Sequence, residues 1–104
     1  MSIPVTLADL PITLTQYPWG YLVTVGPSLR AHSLAVPTQW TDGVLHATVG
    51  RSTRVNVEAR PEITMVFPHP QPGEYSLIVD GTAAVADAAV VFTPTSAVLH
   101  RPAL

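Results

Sequence analysis

Proline recurs too often along this chain for long helices to form. The 104 residues include 11 prolines, and each removes a backbone donor and clashes with the preceding turn of a helix. Between them lie short runs rich in β-branched residues, punctuated by Gly and Asp. That is the texture of consecutive hairpins. The length suffices for one core, so residues 1–104 are expected to form a single domain.

The runs can be followed in order. Tyr21 to Val25 is a strand, ended by a turn at Gly26-Pro27-Ser28. A second strand is expected from Arg30 to Trp40. Its alternation puts His32, Leu34, Val36, Thr38 and Trp40 on one face, with Ala31, Ser33, Ala35 and Gln39 on the other. Pro37 inside it implies a bulge or an edge position. Thr41-Asp42-Gly43 is a strong hairpin signal, and Val44 to Val49 is the third strand. Ile63 to Phe67, Tyr75 to Val85 and Val90 to Leu99 complete the set. Asp80-Gly81 falls inside the fifth strand and reads as a bulge, and Pro94 bends the sixth or marks an edge.

The one convincing helix covers about Arg54 to Ala59. Ser52 or Thr53 would cap it through a hydroxyl, and Arg60-Pro61 would stop it. Leu7 to Tyr17 is an extended lead-in or a single helical turn. Three strands, a helix and three more strands predict a mostly-β, six-stranded antiparallel barrel with one short helix, a form that hides its sheet edges.

Composition then narrows the function. Only 12% of residues are charged against 47% hydrophobic, where a small monomer carries about a quarter charged. Either a second chain covers some of the surface or the core is large. A net charge of -2 argues against nucleic acid, whose phosphates call for a basic face. The absence of cysteine excludes disulfides, thiolate metal sites and cysteine nucleophiles. Met1 to Leu10 lacks the basic start and apolar run of a secretory signal. No stretch approaches the roughly 18 apolar residues of a membrane-spanning helix. A soluble, cytoplasmic protein is the expectation.

One segment concentrates chemistry. Gly50-Arg51-Ser52-Thr53-Arg54 leaves a strand and enters the helix. A helix start presents unpaired N–H groups and the positive end of a dipole. The two hydroxyls add donors, and arginine forks match phosphate oxygens. The segment is either a phosphate cradle or an ordinary cap flanked by solvated arginines. His69, between prolines, reads as solvated. His46 and His100 have no local partner at metal-ligand spacing, so no metal site is read. Trp19 and Trp40 read as core or dimer-interface anchors.

Taken in order, these pieces resemble the pyridoxamine 5′-phosphate oxidase-like, FMN-binding split β-barrel superfamily over about Tyr21 to Arg101. Tyr21-Leu22-Val23-Thr24-Val25 is similar to its "L-x-T-V" strand, and Arg30-Ala31-His32-Ser33-Leu34-Ala35-Val36 to its "R-x-H-x-x-x-V" strand. Asp42-Gly43-Val44-Leu45 is similar to its hairpin. Gly50-Arg51-Ser52-Thr53-Arg54-Val55-Asn56 is similar to its "S-x-K/R-x-x-N" turn. Arg60-Pro61-Glu62-Ile63-Thr64-Met65-Val66 is similar to its "P-x-V-x-L-V" strand, and Leu77-Ile78-Val79-Asp80-Gly81-Thr82-Ala83 to its "V-x-G-x-A" strand.

The resemblance implies a split barrel acting as a homodimer, with FMN or a deazaflavin (coenzyme F-420) in the groove between subunits. It implies that Arg51, Ser52 and Arg54 hold the phosphate and that His32, Ser33, Leu34 and Val36 lie along the ring. His32 and Leu34 read equally well as barrel lining. The activity implied is a flavin- or deazaflavin-dependent oxidoreductase of unknown substrate and unknown catalytic residues. Where the family often has lysine, Arg54 keeps the charge but not the shape. Nothing after Leu99-His100-Arg101-Pro102 is similar to the oxidase's pyridoxal phosphate-binding segment, so vitamin B6 oxidation is not expected. The alternative is a cofactor-free homodimer of the same fold that binds a small ligand; were that a tetrapyrrole, His32 or His100 would be its ligand.

Overall fold

In the computed structural model, which describes residues 1–103, the chain forms eight strands and two helices among the described residues. They are β1 (Ser2–Val5), α1 (Leu10–Leu14), β2 (Trp19–Val25), β3 (Ala31–Pro37), β4 (Trp40–Thr41), β5 (Val44–Thr48), α2 (Arg51–Ala59), β6 (Glu62–Phe67), β7 (Ser76–Ala86) and β8 (Ala89–His100). The strands form one antiparallel sheet in the order β3-β2-β6-β7-β8-β5-β4, with β1 also on β8. The sheet curls into a half-barrel. Its two ends approach where β3 runs on into β4, since Thr38 N–H donates to Pro18 O (3.0 Å) and His46 N–H donates to Gln39 O (2.9 Å).

Alternation along the strands builds the core. Leu22, Met65, Val79 and Ala97 stand opposite one another across β2, β6, β7 and β8, and all are buried. Phe67 and Leu77 form the next pair. Beyond the bulge Phe92 sits opposite both Ala83 and Leu45. Each such fully buried side chain contributes about 1.5–3 kcal/mol. Leu10 and Leu14 of α1 and Val57 of α2 join the same cluster.

Two tight places explain two glycines. Asp42 (φ 50°) and Gly43 (φ 84°) both lie in the left-handed region, as a two-residue hairpin turn demands. At Gly81 a Cβ would stand 2.7 Å from Phe92 Cζ and would press on the Thr93 carbonyl. The register shifts between Asp80 and Gly81, so the bulge expected there is present. Pro94, opposite Gly81, has no N–H to lose from the ladder.

Several expectations need correction. Six strands become eight and one helix becomes two. β1 is added because β8 is long enough to pair with β5 through Ala89–Phe92 and with β1 through Ala97–His100. The single strand expected over 30–40 breaks after Pro37, where the chain crosses from β2 to β5. Helix α2 begins at Arg51, not Arg54. Its cap is Gly50, extended at φ -73° and ψ 173°, and no side chain caps it. Ser52 and Thr53 lie inside the first turn, where Thr53 is buried. The alternation expected along β3 does hold, with His32 opposite Thr24, Leu34 opposite Leu22 and Val36 opposite Gly20. Trp40 packs against the core, while Trp19 is 39% exposed on the outer face, edge-on to Tyr21 at 5.2 Å. Among the described residues, no helix is long and apolar enough to cross a membrane.

Candidate functional site

The connection from β2 to β3 is a compact turn. Leu29 N–H donates to Gly26 O (2.9 Å) and Gly26 N–H donates to Arg30 O (3.0 Å). Leu29 sits at φ 64°. The turn stands over the start of α2, and between them lies a pocket of about 290 Å³. It is lined by Gly26, Pro27, Ser28 and Arg30 of the turn, Ala31 and His32 of β3, and Ser52 and Asn56 of α2.

Asn56 ties these elements together. It is only 5% exposed, and its Nδ2 donates to the buried Thr24 Oγ1 on β2 (3.2 Å). Among the described residues no buried side-chain polar atom is left without a partner, and Asn56 also lines the pocket. Close by, the first-turn N–H groups of α2 have no side-chain cap. They leave donors and a positive dipole end free for an anion. No carboxylate among the described residues lines the pocket.

The residues singled out from the sequence are distributed as follows. Ser52 and His32 meet at the pocket. Arg51 is exposed and outside its lining. Arg54 turns away, and its Nη1 donates to Val49 O, closing the corner between β5 and α2. Leu34 shares the His32 face of β3 and is 38% exposed. Ser33 points to the opposite, outer face, opposite Val23. Val36 is buried beside Gly20. Because β3 ends the sheet order, its far edge presents unpaired backbone groups.

Arg30, Ser28 and Asn56 were not singled out. Asn56 carries a usable signal, since it follows Ser52 by four residues and so shares its helix face. Arg30 and Ser28 reach the pocket only through the folding back of the turn.

Two other places concentrate polar groups. A cavity of about 610 Å³ lies where the chain ends meet Gly73 and Glu74. There the Arg101 guanidinium lies 4.6 Å over the Tyr75 ring and the Met1 ammonium donates to Arg101 O (3.0 Å). Elsewhere the buried Tyr17 hydroxyl donates to Tyr75 O (2.7 Å), anchoring the proline-rich loop. Burial pushes its phenol pKa up, and Glu74 adds to the rise. His69, expected in solvent, lies edge-on to the Tyr17 ring at 5.4 Å.

No protein-family model matches the chain. An uncharacterized protein of Mycobacterium bovis and one of Mycobacterium tuberculosis are each 36% identical over 116 aligned positions, covering 95% of this chain and 82% of theirs. Among solved structures, an F420 reductase has a TM-score of 0.67 at 20% identity, covering 82% of this chain and 93% of its own. A putative pyridoxamine 5′-phosphate oxidase from Listeria innocua has a TM-score of 0.72 at 15% identity, covering 89% and 96%. An FAD-binding protein from Mycobacterium smegmatis has a TM-score of 0.69 at 17% identity, covering 97% and 100%.

Proposed function

We propose, from the premise that this chain belongs to the family of the two mycobacterial proteins and has the pyridoxamine 5′-phosphate oxidase-like split-barrel fold, that it is a flavin- or deazaflavin-binding oxidoreductase. The observation that carries this reading is the pocket beside the start of α2, which Arg30, His32, Ser52 and Asn56 help to line and where no side chain caps the helix. These groups fit a cofactor phosphate. Similarly folded proteins are an F420 reductase and an FAD-binding protein, which supports a cofactor of that class.

In this reading Ser52, the first-turn N–H groups of α2 and Arg30 hold the phosphate. Asn56 and His32 orient the chain that links it to the ring. Leu34 offers an apolar surface to the ring, the open edge of β3 offers backbone donors and acceptors, and Ser33 and Val36 fix the strand that presents them. Arg51 contributes charge at the rim, and Arg54 steadies the corner on which the pocket is built. A bound flavin or deazaflavin supplies hydride chemistry. The protein then needs to bind, orient and shield, without an acid–base pair of its own.

The reading includes a soluble, cytoplasmic homodimer. Ala35, Tyr21, Val66, Ile78 and Val98 form a row across the outer face of β3, β2, β6, β7 and β8. Tyr21 is 39% exposed there, and a second copy laid on that row would cover it and wall the groove beside β3. The cofactor-free alternative draws support from Arg54, whose guanidinium is spent on Val49 O. Titration of the protein with FMN and, separately, with coenzyme F-420, followed by fluorescence, decides between them. Saturable micromolar binding of one is expected, and binding of neither would overturn the proposal.

A further inference from the structure

We infer that the open edge of β3 is a docking surface for a second copy of this chain, whose own β3 adds to it antiparallel about a twofold axis at Ser33.

The ladder on the other side of the strand fixes which backbone groups face outward. At the start of β3, Gly26 N–H donates to Arg30 O (3.0 Å), and past its finish Thr38 N–H donates to Pro18 O (3.0 Å). Between these bonds the register runs unbroken, with His32 opposite Thr24, Leu34 opposite Leu22 and Val36 opposite Gly20. In an antiparallel pair, hydrogen-bonded and non-hydrogen-bonded residues alternate. Both ends set the same phase, so His32, Leu34 and Val36 turn their backbone groups to β2. Ala31, Ser33 and Ala35 turn theirs away from the sheet. Pro37 falls in the outward set, where its missing N–H takes nothing from the ladder.

This edge is unguarded. β3 is seven residues long, and all but Val36 are exposed. It carries no Asp, Glu, Lys or Arg. Edge strands are normally kept short, bulged, charged or interrupted by proline. Other edge strands of this sheet follow that rule, since β4 has two residues and β1 carries Pro4 among its four.

The pattern along β3 selects a copy of itself. A twofold axis at Ser33 sets Ser33 opposite the partner's Ser33, Ala31 opposite the partner's Ala35 and Ala35 opposite the partner's Ala31. All are outward residues, so each pair exchanges N–H and C=O bonds and the donors and acceptors match throughout. The contact ends at Pro37, which has no donor to give. On the outer face the meeting side chains are small. On the other face Leu34, 38% exposed, comes opposite the partner's His32 and gains cover. Two identical uncharged strands meet without repulsion, whereas an acidic or basic peptide finds no counter-charge along β3. The contact uses the strand edge and leaves the outer row of Tyr21, Val66 and Ile78 free. A cofactor ring lying along β3 would take the same backbone groups, so this docking belongs to the chain without cofactor.

The chain has no cysteine, so single cysteines report the contact cleanly. Ser33→Cys, Ala31→Cys and Ala35→Cys, all at exposed positions, are made in the full chain and treated, without added cofactor, with an ethylene-bridged bis-methanethiosulfonate. In the docked pair the Ser33 Cα atoms lie about 5.5 Å apart, and the Ala35 Cα atoms about 13 Å apart. Ser33→Cys is expected to form covalent dimer at least about tenfold faster than either alanine-site variant alone, because a held pair reacts at a raised effective concentration. Ala31→Cys and Ala35→Cys mixed together are expected to cross-link where neither does alone. Ser33→Cys reacting no faster than Ala35→Cys would overturn the inference, and so would a mixture that cross-links no better than its parts.

Discussion

The two ends of β3 border cavities that differ in how far their polar groups are already used. At its start, Ala31 and His32 border the polar pocket beneath the β2–β3 turn. Past its finish, Trp40 borders two grooves, one of about 350 Å³ with Thr38, Pro11 and Pro18 and one of about 370 Å³ with Leu10 and Pro11. The grooves are larger, yet their polar groups are spent. Thr38 N–H donates to Pro18 O, its hydroxyl donates to Tyr17 O, and the Tyr17 hydroxyl donates to Tyr75 O. The prolines have no N–H to offer. At the start of β3, by contrast, the first turn of α2 has no side-chain cap. Unspent hydrogen-bonding capacity, more than volume, marks the candidate site here.

If that contrast is right, the two ends should fail differently when mutated. Trp40→Ala removes a ring packed against the core and is expected to lower stability by about 2–3 kcal/mol, with cofactor affinity unchanged where the protein is still folded. Urea unfolding and a flavin titration on the same sample check both halves, and lost affinity in the folded variant would break the contrast. Arg30→Ala should do the reverse. Loss of a charge-assisted contact of about 1.5–2 kcal/mol means a 10- to 30-fold weaker cofactor, with the melting temperature shifted by no more than about 2 °C.

Tyr17→Phe probes the packing end more finely. It removes the bond to Tyr75 O, worth about 1 kcal/mol. The wild type should also show a pH dependence that the variant lacks. The folded-state pKa of Tyr17 is raised above 10.0, so the folded protein holds this proton more tightly than the unfolded chain does. That contribution is fully present below pH 10 and is lost as pH rises through the raised value. Urea unfolding between pH 8 and 11 would show the decline in the wild type only. The smallest effect is expected for Arg51→Ala. Its side chain is exposed and outside the pocket lining, so affinity should fall by less than about threefold; a larger loss in the titration would move the phosphate toward the rim.

Much of this was legible beforehand. The turn at Asp42-Gly43, the bulge at Asp80-Gly81 and the two faces of β3 could be read because each depends on residues within a few positions of one another. Ser52 was legible as a donor at a helix start for the same reason. The cap differs from the expectation, since Ser52 is a better cap in isolation than Gly50, yet Gly50 takes the position. Thr53 is instead drawn inside the helix, where it is buried.

What the chain determined by itself is local: where it turns, which side of each strand is apolar, and that a helix starts near the Ser52 hydroxyl. Those follow from backbone sterics and side-chain alternation. What only the tertiary structure decided is non-local. β1 becomes a strand because the far half of β8 has an open edge for it. Arg30 lines one pocket with Ser52 and Asn56 because the β2–β3 turn folds over α2, and Asn56 is held there by Thr24, 32 positions away along the chain. Long-range pairings of this kind depend on the summed packing of the whole sheet, and no short window of sequence contains that sum.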